Sequence, residues 1–371
     1  MEPTTILDTI IANTLVPLAL RTDQEGRFPR EAVQALAEAG FLGLISATSV
    51  GGQGKGLREA VQVVSTLAKT CPSTAMVVCM HYCAANVIEQ FGAEAQRREI
   101  AAGRHLTTLA FSEAESRSHF WAPMSTAKAE GDGFVLDARK SWVTSAGEAN
   151  SYVWSSKPVA GDGASTLWLV DASSPGLSIA GRFDGLGLRG NASTPMTAQG
   201  VRVNASDRLG EDGKGFDAMM GVVLPWFACM NAACSVGLME GALERAAGHV
   251  GGTRHQHLGS SLADLPTIRA YLAKARIKTD MAGALLQDTL SAMETGRADT
   301  MLRVLEVKAA AAETALEVTD IAMRVCGGAA FRKEAGIERL FRDARAASVM
   351  APTSDVLYDF IGKAVTGQPL F

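Results

Sequence analysis

Over the first hundred residues apolar positions recur at helical spacing. Ala32, Val33, Leu36, Ala37 and Ala39 share one face, and Gly40 stands where a helix would end on a left-handed residue. A second helix is predicted at about 57–70, and a third opens at Cys71-Pro72-Ser73, where the first turn tolerates proline, and runs to Phe91. From Leu106 to Val203 the pattern shortens to β-type runs, among them 107–111, 134–136, 151–154 and 166–170, separated by Gly, Asp, Pro and Ser. Gly131-Asp132-Gly133 is a natural hairpin turn between two of these strands. Helical spacing returns after Gly213-Lys214-Gly215 in segments at roughly 216–250, 262–295, 299–326 and 346–365, long enough for an antiparallel four-helix bundle. In the third, Leu302, Leu305, Ala309, Ala312, Leu316, Thr319 and Met323 trace one apolar stripe, which ends at Gly327-Gly328. The chain therefore divides into an α-helical domain (1–105), a small β domain (106–212) and a helical bundle (213–371).

Composition narrows the class. In 371 residues, 47% are hydrophobic and 20% charged, and 35 basic side chains against 39 acidic leave a net charge of −4. That balance excludes a disordered chain, a collagen and an electrostatically driven nucleic-acid binder. The mean hydropathy of +0.10 is high. No uninterrupted apolar run reaches the roughly 18 residues of a membrane helix, so the excess belongs in the fold or in contacts between copies. Residues 1–20 carry Glu2 and Asp8 and no basic start, unlike a signal peptide, which points to a cytoplasmic protein. The six cysteines form no CxxC pair and sit among Ala, Val and Met as buried free thiols do; Cys79 and Cys83 share a helix that points His81 elsewhere, so no metal site is expected.

Several short motifs occur in a telling order: Gly40-Phe41-Leu42-Gly43-Leu44 followed by Gly51-Gly52-Gln53-Gly54, then Phe91-Gly92-Ala93-Glu94-Ala95-Gln96, Ala110-Phe111-Ser112-Glu113 and Lys140-Ser141-Trp142-Val143-Thr144-Ser145, and finally Cys326-Gly327-Gly328-Ala329-Ala330-Phe331 and Glu338-Arg339-Leu340-Phe341-Arg342-Asp343. Together with the α, β, α domain order they resemble the acyl-CoA dehydrogenase superfamily of flavoproteins across nearly the whole chain. The resemblance implies a mainly α fold with a central β-barrel domain and a C-terminal four-helix bundle, binding FAD rather than FMN between the last two.

By the same resemblance Trp142 packs on the flavin ring and Thr144 hydrogen-bonds toward its N5 edge. An aromatic wall excludes water there, and a hydroxyl donor stabilises charge on the reduced ring. A core aromatic beside a surface threonine is the plainer reading. Ser112 would reach the pyrimidine end of the ring and Phe111 would lie along it. Arg254, in the loosened segment 253–259, is a candidate partner for the FAD diphosphate, unless His255 takes that place or Arg254 is simply a surface cation. Gly327 and Gly328 would let a neighbouring copy receive the adenosine half, or merely cap their helix. Thr353 would contact FAD at a helix N-terminus, or cap that helix.

The pattern breaks at the base. Family members remove the substrate α proton with a glutamate, and the matching position here is Ala351, in Met350-Ala351-Pro352-Thr353; the alternative position, on the first bundle helix, reads Pro225-Trp226-Phe227-Ala228. The glycine-rich substrate loop is replaced by residues 114–121, ending His119-Phe120-Trp121, which with Trp226 and Phe227 suggests a narrower, more aromatic pocket. Substitute catalytic groups are His81, His119, Asp355 and Glu113, each with an ordinary structural role as its alternative. Three functions follow: a dehydrogenase of CoA- or carrier-bound acyl thioesters with an unconventional base; a reduced-flavin monooxygenase in which His81 and Ser145 hydrogen-bond the oxygen adduct; and a silent structural relative. Family prevalence favours the first. The implied partners are an acyl thioester, an electron-transfer flavoprotein or a flavin reductase, and further copies of the chain as a dimer or tetramer.

Overall fold

The structure, a computed structural model, describes residues 3–257 and 259–370; Leu258, within the segment 253–259, lies outside the described residues. The N-terminal layer holds helices α1 (Pro3–Ile10), α2 (Val16–Glu25), α3 (Arg30–Glu38), α4 (Leu57–Ala68), α5 (Pro72–Phe91) and α6 (Glu94–Ala101). α1 and α2 precede the first predicted helix. Helix α5 is buried over most of its length and is the centre of this layer, with Val78, Cys79, Tyr82 and Cys83 fully enclosed. All six cysteines are buried and free.

The middle of the chain forms β1 (Thr107–Ala110), β2 (Thr126–Glu130), β3 (Gly133–Val143), β4 (Ser151–Ser156), β5 (Thr166–Asp171), β6 (Leu177–Ile179), β7 (Thr194–Asn204) and β8 (Arg208–Leu209). The predicted hairpin is present: β2 and β3 pair antiparallel across Gly131, whose φ of 66° suits glycine. The expected barrel is not. Two four-stranded sheets, ordered β1-β4-β5-β8 and β2-β3-β7-β6, stay unclosed. Their outer strands β8 and β6 are two and three residues long, too short to zip the edges together. The sheets instead share a core in which Tyr152, Trp154 and Trp168 of one face meet Leu136, Met196 and Val201 of the other. They also touch at an isolated bridge between Glu113 and Lys140, beside which the Ser141 N–H donates to the Ser112 carbonyl at 2.8 Å.

The C-terminal part runs through α7 (Gly215–Ala218), a π turn at Met219–Val223, α8 (Leu224–Gly252), a small hairpin of β9 (Arg254–His255) and β10 (Ser260–Ser261), then α9 (Pro266–Thr295), α10 (Thr300–Cys326), α11 (Ile337–Val349) and α12 (Ser354–Val365). The continuous helical stretch Gly215–Gly252 does contain a window long and apolar enough to cross a membrane, but 83% of that window is buried inside the fold. The segment predicted at 346–365 is the last turn of α11 followed by α12, and α11 itself begins earlier, at Ile337. Pro352 has no N–H to continue a helix and restricts the residue before it, so α11 stops at Val349 and α12 restarts at Ser354; the Ala351–Pro352 peptide is cis. This part is therefore five long helices rather than four.

Candidate active site

The bridge between the sheets is built on a buried ion pair. Lys140 is 1% exposed and its Nζ donates to Glu113 Oε1 at 2.6 Å, to the Ser155 carbonyl at 2.8 Å and to Ser155 Oγ at 2.9 Å. Glu113 also accepts the Met124 N–H at 2.6 Å, the Ser125 N–H at 3.1 Å and the Ser125 hydroxyl. Burial alone would raise the Glu113 carboxyl, but the Lys140 ammonium and these donors outweigh it and hold it below the usual carboxylate range. Burial pushes Lys140 down to about 8, against the pull of Glu113. Both groups are thus charged near neutrality, and Glu113 is committed to structure.

One residue past Lys140, β3 bulges. Its register against β7 shifts between Lys140 and Val143, so two residues, Ser141 and Trp142, oppose Pro195. Proline donates nothing to a ladder, and the extra residue turns the indole outward. Trp142 is 67% exposed, edge-on to Phe183 at 6.5 Å between ring centroids, so it is not a core aromatic. It forms one wall of a cleft of about 900 Å³ between the β2-β3-β7-β6 sheet and the α11–α12 turn. Ser112, Ser141, Thr144 and Ser193 line the same wall, while Met80, Phe227, Val349, Met350, Ala351 and Thr353 line the helical side. Thr144 Oγ1 and Ser193 Oγ are 3.1 Å apart, which fixes the hydroxyl beside the indole. Phe111 lines a small adjoining cavity with Trp142 and Phe227, stacked on Phe120 at 6.3 Å.

The predicted cofactor residues Phe111, Ser112, Trp142, Thr144 and Thr353 are thereby brought to one place. Thr353 precedes α12, and its N–H donates to Ser118 Oγ at 2.9 Å, tying the 114–121 loop to that helix start. The others stand apart. Arg254 is exposed on the β9–β10 hairpin and does not line the cleft, and Gly327 and Gly328 are exposed at the end of α10, where a side chain would meet open space. The φ of 55° at Gly327, with ψ of −139°, makes it a helix terminator in any case.

Of the expected catalytic groups, His81, His119, Asp355 and Ser145 do not line the cleft; Glu113 does, but Lys140 holds it. His119 is exposed, edge-on to the Trp121 ring at 5.1 Å. Asp355 is exposed in the first turn of α12, and Ser145 is buried in a left-handed turn, its N–H bonded to the Asn191 carbonyl. Of the aromatics expected to narrow the pocket, Phe227 does so, whereas Trp121 packs on Phe360 and Trp226 packs against the core.

His81 is fully enclosed: Nε2 donates to the Leu42 carbonyl at 2.9 Å and Nδ1 accepts the Thr107 N–H at 3.2 Å. A second ring proton would point at that N–H, and burial accordingly lowers its pKa to about 4. Unfolded chains take up the proton near pH 6.5, so the stability present above that pH is lost as pH falls toward 4, by up to about 3 kcal/mol. Urea denaturation of His81→Gln, whose amide keeps one donor and one acceptor, is expected to show a shallower loss over that interval.

Models of the N-terminal, middle and C-terminal domains of acyl-CoA dehydrogenase match residues 6–103, 108–201 and 213–366. The chain belongs to the acyl-CoA dehydrogenase family. It is, by that membership, a flavin-dependent oxidoreductase. Among similar proteins, acryloyl-CoA reductase (NADH) of Anaerotignum propionicum is 28% identical over 352 residues, covering 92% of this chain and 88% of that one. Butyryl-CoA dehydrogenase of Megasphaera elsdenii superposes with a TM-score of 0.91 at 23% identity, covering 98% of each chain. The FAD complex of PigA gives 0.89 at 18%, covering 98% and 97%.

Two features of this family member were not legible as site features. In the sequence Lys140 stands only within the Lys140–Ser145 motif, although a lysine on the buried side of a strand signals a partner. Asp343, fully buried, accepts the Leu188 N–H at 2.6 Å and so fastens the 183–188 wall to α11, and burial raises its carboxyl to about 6. No local pattern announces that contact across 155 residues.

Proposed function

We propose that this chain is an FAD-dependent oxidoreductase that removes the Cα and Cβ hydrogens of an acyl thioester, bound to CoA or to a carrier, without a glutamate at position 351. The observation that carries the reading is the outward Trp142, an aromatic face left open in a cleft large enough for a tricyclic ring and an acyl chain. The wall fits a flavin: an apolar face for stacking, with Thr144, Ser112 and Ser141 supplying polar atoms at its edge. When bound, FAD would supply the two-electron acceptor. Trp142 would exclude water from one face, Thr144 would present its hydroxyl to the ring edge, and Met80 and Phe227 would confine the acyl chain. Exposed Phe331 beside Gly327-Gly328, and Ile277 and Met281 on α9, support contact with further copies.

Anaerobic mixing of the FAD-loaded protein with a panel of acyl-CoAs tests this: bleaching of the flavin band supports dehydrogenation, and no bleaching with any of them rejects it. Ala351→Glu places a carboxylate on the helical side of the cleft and is expected to speed that bleaching by about 100-fold, a typical gain from a positioned base. An unchanged rate would mean that proton removal at Cα does not limit the reaction.

One observation favours a second reading. The only carboxylate lining the cleft among the described residues is Glu113, which Lys140 holds, so no carboxylate there is free to take a proton. A reduced-flavin monooxygenase needs none, and oxygen uptake dependent on an added flavin reductase would identify it.

A further inference from the structure

Lys308 lies on α10, is 0% exposed, and among the described residues has no carboxylate within ion-pair distance. An ammonium has three protons and no acceptor. Here all three find carbonyl oxygens of one short segment: Ala347 at 3.0 Å, Met350 at 3.1 Å and Pro352 at 2.9 Å. Ala347 is among the last carbonyls of α11, which carry the negative end of the helix dipole and have no partner within the helix. The other two flank Ala351. The ring of Phe227 lies 5.8 Å from the same nitrogen, and Phe227, Met350 and Ala351 all line the cleft. The side chain of Met350 is held separately, its sulfur 3.7 Å from Asn231 Nδ2.

A buried cation is a costly way to end a helix, because desolvation opposes it and an apolar residue with a capping turn serves the same end. What Lys308 adds is position. Three bonds of similar length from one nitrogen fix three points of a turn whose ends are held by the Met350 N–H on the Ala346 carbonyl and the Thr353 N–H on Ser118 Oγ. We infer that Lys308 is a positioning residue of this site, which sets the height of the Met350–Pro352 turn and hence how closely residue 351 approaches the Trp142 wall. This rests on the reading of the cleft as the place where substrate binds, but the turn can be followed independently of any substrate.

Hydrogen exchange on the full chain, loaded with FAD, tests it in Lys308→Met. Amides of 350–357 are expected to exchange about tenfold faster, the change that losing roughly one net hydrogen bond supports, with amides of α9 unchanged. FAD affinity should move less than threefold, since Trp142 and Thr144 are untouched, while kcat for an acyl thioester that the wild type oxidises falls about 30-fold at nearly constant KM. Should the methionine variant not fold, Lys308→Gln retains two donors and should show the same local pattern at about threefold. Unchanged exchange at 350–357, or a uniform rise across the bundle, would overturn the inference whether or not any acyl thioester proves to be a substrate. Local exchange as expected with kcat unaltered would also overturn it, leaving Lys308 a cap of α11 alone.

Discussion

Lys140→Met should lower the stability of the chain by about 3–5 kcal/mol, because it strands a charged group in the interior instead of removing a pair. Glu113 is 2% exposed and would keep its Met124 and Ser125 donors, but the nearest cation would be gone and Ser155 would lose its donor. The double variant Lys140→Met/Glu113→Gln should regain much of the loss, since exchanging a buried pair for neutral groups is close to neutral while halving it is not. Urea unfolding at pH 7 would measure both. A loss below about 1 kcal/mol in the single variant would show the pair to be wet and dispensable. The pair also joins the sheets beside the Ser112–Ser141 hydrogen bond, so the single variant is expected to lose FAD as well.

Trp142→Ala should behave in the opposite way. An indole two-thirds open to solvent contributes little to folding, and the melting midpoint should shift by no more than about 0.5 kcal/mol warrants. Stacking between an aromatic side chain and a flat heterocycle is worth about 1–3 kcal/mol, so FAD should bind roughly 10- to 100-fold more weakly. Cofactor loss without stability loss separates a stacking wall from a core residue. A variant that melts early yet retains FAD would assign Trp142 to the core.

What the sequence disclosed, and what it hid, follows from the range of the interactions concerned. The Gly131 hairpin and α5 were legible because turn chemistry and a proline-opened helix start act within a few residues. Trp142 and Thr144 were legible through a motif, but the outward turn of the indole depends on a bulge opposite Pro195, some fifty residues away. The barrel failed because closure depends on the length of β6 and β8, which the polar edges of the domain do not advertise. His81 looked like proton-transfer chemistry because histidine titrates near neutrality; only its contacts with Leu42 and Thr107 show both nitrogens spent. That residue 351 is an alanine is plain in the sequence, whereas Lys308 lies in an alanine-rich helix face, where one lysine resembles a solvated position until the fold encloses it.

The central claim is that the open face of Trp142 and the hydroxyls beside it seat a flavin. Titration of FAD into the wild-type chain, following indole fluorescence and the visible flavin band together, measures it directly. The expected result is about one FAD per chain with a Kd near or below about 1 μM, quenched indole emission and a flavin band resolved into shoulders by a drier setting. Flavin that stays free in solution, with emission unchanged at saturating concentration, would contradict it.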